Sequence, residues 1–322
     1  MNSSKPTTSA APTTTAGPSP GGDAKGAVLH GFSVDVEDWF HILDCQGAPD
    51  PRSWAGQPAR VEANTAKILD VLDAHRVRAS FYCLGWIADQ HPQVIAEIAR
   101  RGHEIGSHGH LHGLLGHLGR DAFARDLDLS LEALAKAGGG TVKTFRAPGF
   151  SLTAAEVPWA LPILADRGID LDASLFLTDR AHGGLRLDRQ RPFDLLLADG
   201  RKIREVPVVP RRIAGREIAY SGGGYLRLFP WPVLRDSFAR AQAQGQPVVA
   251  YLHPREVDPD QPRMKLPPLR RFKYYVGLNT VLRKMDLLFS HFRFGTLRQV
   301  AEQGLLDPPA TLQELTGAGQ TT

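Results

Sequence analysis

Cysteine is scarce in this chain of 322 residues, which contains only Cys45 and Cys83. Two thiols are too few for a framework of disulfide bonds or for a metal site built on thiolates. We therefore expect a reduced protein, and a cytoplasmic location is the default interpretation.

The sequence also lacks a long hydrophobic run. It has no stretch of about 18 consecutive apolar residues, so no integral membrane segment is predicted. The first 27 residues are rich in Ser, Thr, Ala, Pro and Gly and lack the continuous apolar core of a secretory signal. Such a segment buries too little surface to offset its ordering entropy, so residues 1–27 are predicted to form a disordered tail. Residues 308–322 are predicted to form a second, loose tail.

Neither sign of charge is in large excess. The 38 Lys and Arg residues and 34 Asp and Glu residues leave a formal net charge of +4. Proteins that bind nucleic acids usually gather positive charge into one stripe, whereas the densest basic stretches here, Pro210–Arg216 and Arg270–Lys273, are short and separate. We interpret them as solvated surface first and as a footprint for an anionic polymer second. No nucleic-acid partner is predicted.

Short β-rich runs alternate with helical periods from Gly26 onward. Ala27–Val36 is predicted to be a strand, Val61–Ala74 a helix and Arg78–Leu84 the next strand. Further helices are predicted near residues 86–101, 121–137, 154–167 and 231–244, and further strands near 103–106, 144–147, 169–174 and 247–252. This order predicts an α/β fold with a parallel sheet, open or closed into a barrel.

Four polar clusters follow predicted strands, and the carboxyl ends of parallel strands meet at one face of the fold. The first cluster has three carboxylates within four residues, Asp35, Glu37 and Asp38. Acids this crowded repel one another unless a cation lies among them. A solvated turn in which Asp38 caps a helix is an equally good interpretation of this cluster alone.

The second cluster, His103–His112, holds four of the 12 histidines of the chain. His108 and His112 are four positions apart, a spacing that lets both imidazoles reach one metal ion from a helical turn or a compact loop. His103 and His110 are expected to support or flank that site.

The last two clusters each contain one basic residue at a strand end. Arg146 precedes a Pro-Gly turn and could orient a carboxylate through a bidentate contact, although an exposed arginine at a turn is the simpler interpretation of that cluster alone. His253 ends the most apolar strand. A buried core histidine is the commoner case there, but its position at the strand end favours proton transfer.

In this order the clusters resemble the polysaccharide deacetylases of carbohydrate esterase family 4, the nodulation-protein-B homology group. The motifs of that family are an acidic strand end, His-x-x-x-His, Arg-x-Pro, an Asp-containing strand and Leu-His. The chain has, in turn, Asp35–Asp38, His108–His112, Arg146–Pro148, Asp170–Ser174 and Leu252–His253.

A narrower similarity is to the deacetylases found with exosortase and exopolysaccharide loci, which also carry a C-terminal extension. It rests on Asp35–Trp39, Gly222–Tyr225, His253–Glu256, Asp258–Arg263 and the extension-like Phe272–Leu297. The resemblance implies a distorted (β/α) barrel with fewer than eight units. Residues 28–255 would form the catalytic domain, and residues 256–307 an extension packed on the barrel.

The resemblance implies a metal-dependent enzyme that hydrolyses N-acetyl groups of amino sugars in a polysaccharide, an oligosaccharide or a precursor, in exopolysaccharide biosynthesis, and releases acetate. His108, His112 and an acid would hold the ion, with Zn²⁺ preferred and Co²⁺ or Fe²⁺ as alternatives. The family usually has two adjacent aspartates, whereas Val36 follows Asp35 here. The third ligand is therefore Glu37 or Asp38, and Glu37 is favoured because it shares the face of Asp35 if the strand continues.

The resemblance also implies roles for residues around the metal. Asp35 would be the general base, Arg146 would orient it, and His253 would protonate the departing amine, with Asp170 or Asp172 as the partner of His253. A backbone N–H near Pro148–Phe150 would face the oxyanion. The expected contacts with sugar and acetyl groups come from four residues, Trp39, Pro148, Phe150 and Tyr225, of which Trp39 is the best candidate. The sequence predicts no oligomeric state.

Three alternatives compete with this prediction. A metal-free amidase of the same fold, acting on a small amide or ureide, would lack the histidine pair that this chain has. A catalytically silent carbohydrate-binding module would have lost Asp35 or His253, and both are present. A purely structural metal site would use four protein ligands in a closed shell.

Overall fold

The computed structural model describes Met1 and residues 28–43, 48–178, 182–213 and 216–317, without the side chains of residues 212, 213 and 216. The predicted disordered tail thus lies outside the described residues apart from Met1, as does Cys45. Cys83 is a buried free thiol. Within the described ranges, no helix is long and apolar enough to cross a membrane.

Strands and helices alternate along the chain. The strands are β1 (His30–Val36), β2 (Ser80–Cys83), β3 (Glu104–Ser107), β4 (Thr144–Phe145), β5 (Leu171–Asp172), β6 (Phe193–Leu196), β7 (Lys202–Glu205), β8 (Arg211–Ile213), β9 (Arg216–Ile218), β10 (Val249–Leu252), β11 (Phe294–Gly295) and β12 (Ala310–Thr311). The α-helices are α1 (Val61–Ala74), α2 (Gly85–Gln90), α3 (Pro92–Arg100), α4 (Leu115–Leu134), α5 (Val157–Asp166), α6 (Gly223–Leu228), α7 (Trp231–Ala243), α8 (Pro268–Tyr275), α9 (Val281–His291), α10 (Leu297–Glu302) and α11 (Leu312–Gly317).

Ten of the strands form one large sheet in the order β10-β1-β2-β3-β4-β5-β7-β6-β12, with β11 also paired to β1, and β8 and β9 form a separate antiparallel pair. Neighbouring strands of this sheet are parallel except β6 and β7, which are antiparallel. The predicted α/β fold with a parallel sheet is confirmed. Within the described residues the sheet does not close on itself, because β10 and β12 lie at opposite ends of its strand order.

Both faces of β1 are buried, which is typical of strands in parallel sheets. Phe32, Val34 and Val36 pack into the large apolar core together with residues of α1. The alternate side chains, including Asp35, therefore point to the other face, because successive side chains of a strand alternate. This alternation directs a carboxylate into the interior at the end of the strand.

Two helix predictions differ from the structure where proline or glycine interrupts the pattern. The helix predicted near residues 86–101 is two helices, α2 and α3, separated at His91. Pro92 begins α3, a position where its missing N–H has no helical partner to lose. The helix predicted from residue 121 begins earlier, at Leu115, and has a non-helical Gly119 with a φ of 70°.

The C-terminal residues are more ordered than their composition predicts. Residues 310–317 differ from the predicted loose tail because they form β12 and α11, while 318–322 lie outside the described residues. Strand β12 pairs with β6, and Leu315 is buried. The predicted extension is likewise part of the main sheet, since β11 pairs with β1.

Candidate active site

Side chains from several strand ends line one pocket of about 560 Å³. The lining residues come from the ends of β1, β3 and β10 and from the loops after β1, β4 and β5. They are Asp35, Glu37, Ile42, Leu43, His108, His112, Gly149, Phe150, His182, Tyr251, His253 and Arg255. Parallel pairing of β1 with both β2 and β10 aligns these strand ends.

Three of these residues form a cluster with the composition of a metal site. Glu37, His108 and His112 are buried, and one ligand atom from each lies within 4.8 Å of the others. Glu37 Oε1 is 3.2 Å from His108 Nε2 and 3.0 Å from His112 Nε2. His112 Nε2 has no well-aligned hydrogen-bond partner among the described residues. Two imidazole nitrogens and a carboxylate oxygen that converge in this way fit a divalent cation with open coordination positions.

The ring of His108 is oriented by the backbone of the neighbouring strand end. Its Nδ1 lies 2.8 Å from the carbonyl oxygen of Arg146, which can only accept a hydrogen bond. This contact assigns the proton to Nδ1 and leaves the Nε2 lone pair facing Glu37 and His112. Such an outer hydrogen bond is the usual way in which a metal-binding histidine is oriented.

The loop that carries His112 depends on Asp126 of α4, which the sequence analysis did not single out. Asp126 accepts hydrogen bonds from the backbone N–H groups of His110 (2.7 Å) and Leu111 (3.1 Å). Within this loop Gly109 has a φ of 73° and His112 a φ of 56°. His108 and His112 therefore converge through a compact loop rather than through a helical turn.

Asp38 does not face the cluster. Its Oδ2 accepts from the backbone N–H groups of Arg60 (2.7 Å) and Val61 (2.9 Å) at the start of α1, and its Oδ1 accepts from Trp39 N (2.7 Å). Burial raises the pKa of Asp38, against the lowering effect of these three N–H donors. This geometry corrects the expectation that Asp38 could be the third ligand, because its oxygens are used to cap a helix.

Asp35 and Arg146 form a buried ion pair next to the cluster. Arg146 Nη1 donates to Asp35 Oδ1 at 2.6 Å, and its Nε donates to the carbonyl oxygen of Ala173 at 3.2 Å. The guanidinium lies over the ring of Tyr82, 4.3 Å from its centroid. Arg146 is thus a fully buried side chain that fixes one oxygen of Asp35, not the exposed turn residue of the simpler interpretation.

His253 lies between the carboxylates of β1 and a residue of its own loop. Its Nε2 is 3.8 Å from Asp35 Oδ2 and 3.6 Å from Glu37 Oε1, and its Nδ1 is 3.3 Å from Glu256 Oε2. Burial alone would lower the pKa of His253, but the Glu37 and Glu256 carboxylates outweigh it and raise that pKa. Glu256 is itself held by Arg227, whose Nε donates to Oε1 at 2.9 Å.

The prediction that Asp170 or Asp172 pairs with His253 is therefore wrong. Asp170 forms an ion pair with Arg298 at 2.7 Å. Asp172 is buried at the end of β5, where it accepts from Ser174 Oγ at 2.6 Å. The carboxylate beside His253 comes instead from the turn after β10, only three positions along the chain.

The predicted substrate contacts separate into two groups. Phe150 lines the pocket, beside Gly149. Trp39, Pro148 and Tyr225 are not among the lining residues. The Trp39 indole is buried and donates through Nε1 to Pro58 O at 3.0 Å, while Tyr225 stacks on Phe229 with 5.8 Å between ring centroids. The geometry thus corrects the choice of Trp39 as the best sugar contact.

Several pocket residues had no role in the sequence-based prediction. Ile42, Leu43, His182, Tyr251 and Arg255 line the pocket, and Glu256 supports His253. The His-Pro-Arg-Glu sequence at 253–256 was a usable signal for Arg255 and Glu256. Ile42 and Leu43 gave none, because they follow a turn whose direction is not encoded in a periodic pattern.

Two family models match the chain. A model described as polysaccharide deacetylase matches residues 55–163, and a model described as a domain of unknown function matches residues 173–302. His108, His112 and Arg146 fall within the first match, whereas His253, Arg255 and Glu256 fall within the second. Asp35 and Glu37 precede both. The pocket is therefore built from residues of both matched regions and of the strand before them.

Curated relatives match a limited part of the chain. A peptidoglycan-N-acetylglucosamine deacetylase of Bacillus cereus is 33% identical over 96 residues, which is 30% of this chain and 35% of that protein. A chitooligosaccharide deacetylase of Rhizobium leguminosarum bv. trifolii is 36% identical over 73 residues, which is 23% of this chain and 34% of that protein. The chain thus spans about a third of the length of each of these relatives.

Solved structures match over most of the chain. A candidate polysaccharide deacetylase from Mycobacterium smegmatis has a TM-score of 0.59 and 22% identity, covering 91% of this chain and 96% of its own. An allantoinase has a TM-score of 0.57 and 16% identity, covering 89% and 93%. At these identities the likeness concerns the fold alone.

Proposed function

We propose that this chain, of which residues 55–163 match a polysaccharide deacetylase model and residues 173–302 a model of a domain of unknown function, hydrolyses N-acetyl groups of amino sugars in a polysaccharide or its precursor and releases acetate. The observation that carries this proposal is the convergence of Glu37, His108 and His112 beside Asp35 and His253 in one pocket. That set contains the ligands, base and acid that amide hydrolysis requires.

Glu37, His108 and His112 would hold the divalent cation. Their two imidazoles and one carboxylate suit Zn²⁺, and Co²⁺ or Fe²⁺ are the alternatives. Once bound, such an ion acts as a Lewis acid toward the acetyl carbonyl and lowers the pKa of the attacking water. The remaining requirements of the reaction fall on side chains of the protein.

Asp35 is the proposed general base. Arg146 donates to its Oδ1, which leaves Oδ2 directed to the side where His253 Nε2 lies, 3.8 Å away. A carboxylate fixed in this way can accept a proton from water without first reorganising.

His253 is the proposed general acid. An amide needs a proton on its departing nitrogen, because a free amine anion is a poor leaving group. Glu256 lies beside Nδ1 of His253, so Nε2 faces the pocket. From there the ring can deliver its proton to the leaving amine. Arg227 fixes Glu256 in turn.

A backbone N–H after β4 is the proposed partner of the developing oxyanion. Phe150 N is already bonded to Ala147 O at 3.0 Å, and Pro148 has no N–H. Gly149 lines the pocket, so its N–H is the candidate donor.

The proposed substrate is a polysaccharide or oligosaccharide of N-acetylated amino sugars, in exopolysaccharide formation. The pocket volume of about 560 Å³ lies within the range of small-molecule sites, so it suits one acetamido sugar with its neighbour at the mouth. A metal-free amidase is less well supported, because both histidines point into the pocket. A silent binding module would not require the Arg146–Asp35 pair.

The test is acetate release from N-acetylglucosamine oligomers by protein reconstituted with Zn²⁺, Co²⁺ or Fe²⁺. We expect activity that a chelator abolishes and that returns with added metal. Asp35→Asn should bind the same amount of metal and release no acetate. Activity that survives chelation would favour the metal-free amidase. A metal-loaded protein inactive on neutral and acidic oligomers would reject the deacetylase.

A further inference from the structure

Arg255 is a half-buried cation that lines the pocket, near the carboxylates of Glu37 and Glu256 but not bonded to either. Among the described residues its guanidinium forms no ion pair or side-chain hydrogen bond, and its Nη1 is buried without a partner. The residue nevertheless lines the same pocket as Asp35, His253 and the metal cluster. A buried donor without a hydrogen-bond partner is costly to a fold, so the position of Nη1 calls for an explanation.

The guanidinium of Arg255 is held in place by an aromatic ring. It lies over Tyr274 of α8, 3.9 Å from the ring centroid. Tyr274 is buried, and its hydroxyl donates to the carbonyl oxygen of Trp39 at 3.1 Å. The backbone carbonyl of Arg255 is anchored as well, by Gln261 Nε2 at 2.7 Å. The cation is therefore positioned in advance, while its hydrogen-bonding groups are left unused.

Two other arginines near the site each form an ion pair with a carboxylate, although Arg146 Nη2 also lacks a hydrogen-bond partner among the described residues. Arg146 donates to Asp35 and to a backbone carbonyl. Arg227 donates to Glu256 and to the carbonyl oxygens of Tyr274 and Val276. Among these three arginines, Arg255 is thus the one that forms no ion pair with a described residue.

The carboxylates around Arg255 are already engaged. Glu256 is shared by Arg227 and His253. Asp258 is bound by Arg60 and Asn64, and Glu37 belongs to the metal cluster. Glu37 and Glu256 act on Arg255 only through their charges, so its N–H donors remain available to a ligand in the pocket.

We propose that Arg255 binds an oxyanion group, a carboxylate or a phosphate, on the sugar chain that enters this pocket. The planar guanidinium matches both groups through paired N–H donors. This inference rests on the proposed function for the reaction itself and adds the substrate class: an acidic N-acetylated polysaccharide or a phosphate-bearing precursor. Arg255 would be a specificity-determining residue rather than part of the hydrolytic machinery.

The test compares three ligands of equal length on metal-reconstituted Asp35→Asn protein, which binds them without turnover. One is a neutral N-acetylglucosamine oligomer, the second alternates N-acetylglucosamine with glucuronic acid, and the third is the neutral oligomer with a terminal phosphate. Calorimetry should give a Kd about tenfold or more lower for at least one anionic ligand than for the neutral one. The anionic ligand that binds more tightly than the neutral one identifies the bound group as a carboxylate or a phosphate.

Substitutions then assign that preference to a residue. In Arg255→Met the anionic and neutral ligands should bind equally, with the neutral Kd unchanged within about twofold. Arg263→Met is the matched control, because Arg263 also lies over a tyrosine ring, at 4.2 Å from the Tyr275 centroid, but is exposed and lies outside this pocket. The Arg263→Met protein should keep the full preference for the anionic ligand. Arg255→Lys should keep part of this preference, because it retains the positive charge but not the planar group that packs on Tyr274.

Two results would overturn the proposal: equal binding of all three ligands by the unsubstituted site, or a preference for anions that survives in Arg255→Met. Failure of the proposed deacetylase reaction can be told apart from failure of the Arg255 proposal. In the first case, protein with Asp35 intact releases no acetate, whatever the Kd values of the three ligands. In active protein, Arg255→Met should raise KM for the anionic oligomer by a larger factor than KM for the neutral one.

Discussion

Arg146 Nη1 lies 2.6 Å from Asp35 Oδ1, and the two side chains are buried together although 111 positions separate them in the chain. The same residue accepts from His108 Nδ1 through its backbone carbonyl. Arg146 therefore positions the proposed base through its side chain and a proposed metal ligand through its backbone. Only the first of these contacts depends on the identity of the side chain.

Replacing Arg146 should thus separate catalysis and stability from metal binding. In Arg146→Met the Asp35 carboxylate is left buried without its cation, so the free energy of unfolding should fall by about 3–5 kcal/mol. Acetate release should fall by about 10²-fold or more, since the base loses its fixed orientation. Denaturant titration and kcat measurements test the two effects, and metal content should stay close to that of the unchanged protein.

The control for this change is Arg167→Met. Arg167 pairs with Asp128 at 2.6 Å, but the Asp128 side chain is 56% exposed. Solvent-exposed pairs contribute about 0–1 kcal/mol, so this variant should be nearly as stable as the unchanged protein. If the free energy of unfolding fell equally in the two variants, burial would not be what makes the Arg146–Asp35 pair important for stability.

Substitutions of the adjacent acids Glu37 and Asp38 should have different effects on metal binding and stability. Glu37→Gln should weaken metal binding strongly, because it replaces a charged ligand oxygen with an amide. Asp38→Asn should keep the metal and instead destabilise the protein by about 1 kcal/mol, since it weakens the contacts at the start of α1. Elemental analysis after reconstitution, combined with thermal unfolding, distinguishes them. Loss of metal in Asp38→Asn with full metal in Glu37→Gln would reverse the ligand assignment.

Substitutions of His253 and Glu256 should reduce kcat by different factors. His253→Ala should keep its metal and lose about 10²–10⁴ in kcat, the usual contribution of a positioned acid. Glu256→Gln should reduce kcat less, because the ring remains and only its orientation and charge are affected. Single-turnover acetate release on metal-loaded variants checks both, and a His253→Ala protein with most of its kcat would reject the histidine as the acid.

Much of this site could be predicted from the sequence because it lies at strand ends. The alternation in β1 that buries Phe32 and Val34 also directs Asp35 inward. The histidine spacing likewise indicated one metal site, although the loop conformation of His112 could not be read from it. Strand periodicity therefore predicted which residues meet, but not how the backbone brings them together.

The errors have a common physical origin in contacts between distant segments. The capping role of Asp38 depends on where α1 begins, 23 positions later. Trp39 turns into an aromatic cluster with Phe40 and Trp54 rather than into the pocket. Glu256 gains its role from Arg227 of α6, which no local pattern links to it. Tertiary packing determines these contacts, so they could not be predicted from the sequence.

A buried pair of acids away from the proposed metal site predicts how the free energy of unfolding depends on pH. Asp172 and Glu205 are register partners in β5 and β7, and both are fully buried. Burial, followed by the charge of Asp172, raises the pKa of Glu205 well above its ordinary value. Folded Glu205 therefore keeps a proton that the unfolded chain loses at about pH 4.3. Because the unfolded state then binds fewer protons, this group makes the free energy of unfolding fall as the pH rises.

Glu205→Gln should remove that dependence. The amide stays neutral and its oxygen can still accept from Leu175 N, which now donates to Glu205 Oε1 at 3.1 Å. Relative to the unchanged protein, the variant should gain stability as the pH rises above about 4.3, the pKa of the unfolded chain, by at most about 1.4 kcal/mol per pH unit. Urea titrations with a chelator present measure this difference without a contribution from metal binding. The exposed Glu302→Gln should show no such gain. Parallel stability curves for Glu205→Gln and the unchanged protein would mean that Glu205 is ionised in the fold, and Asp172 would then have to hold the proton of the pair.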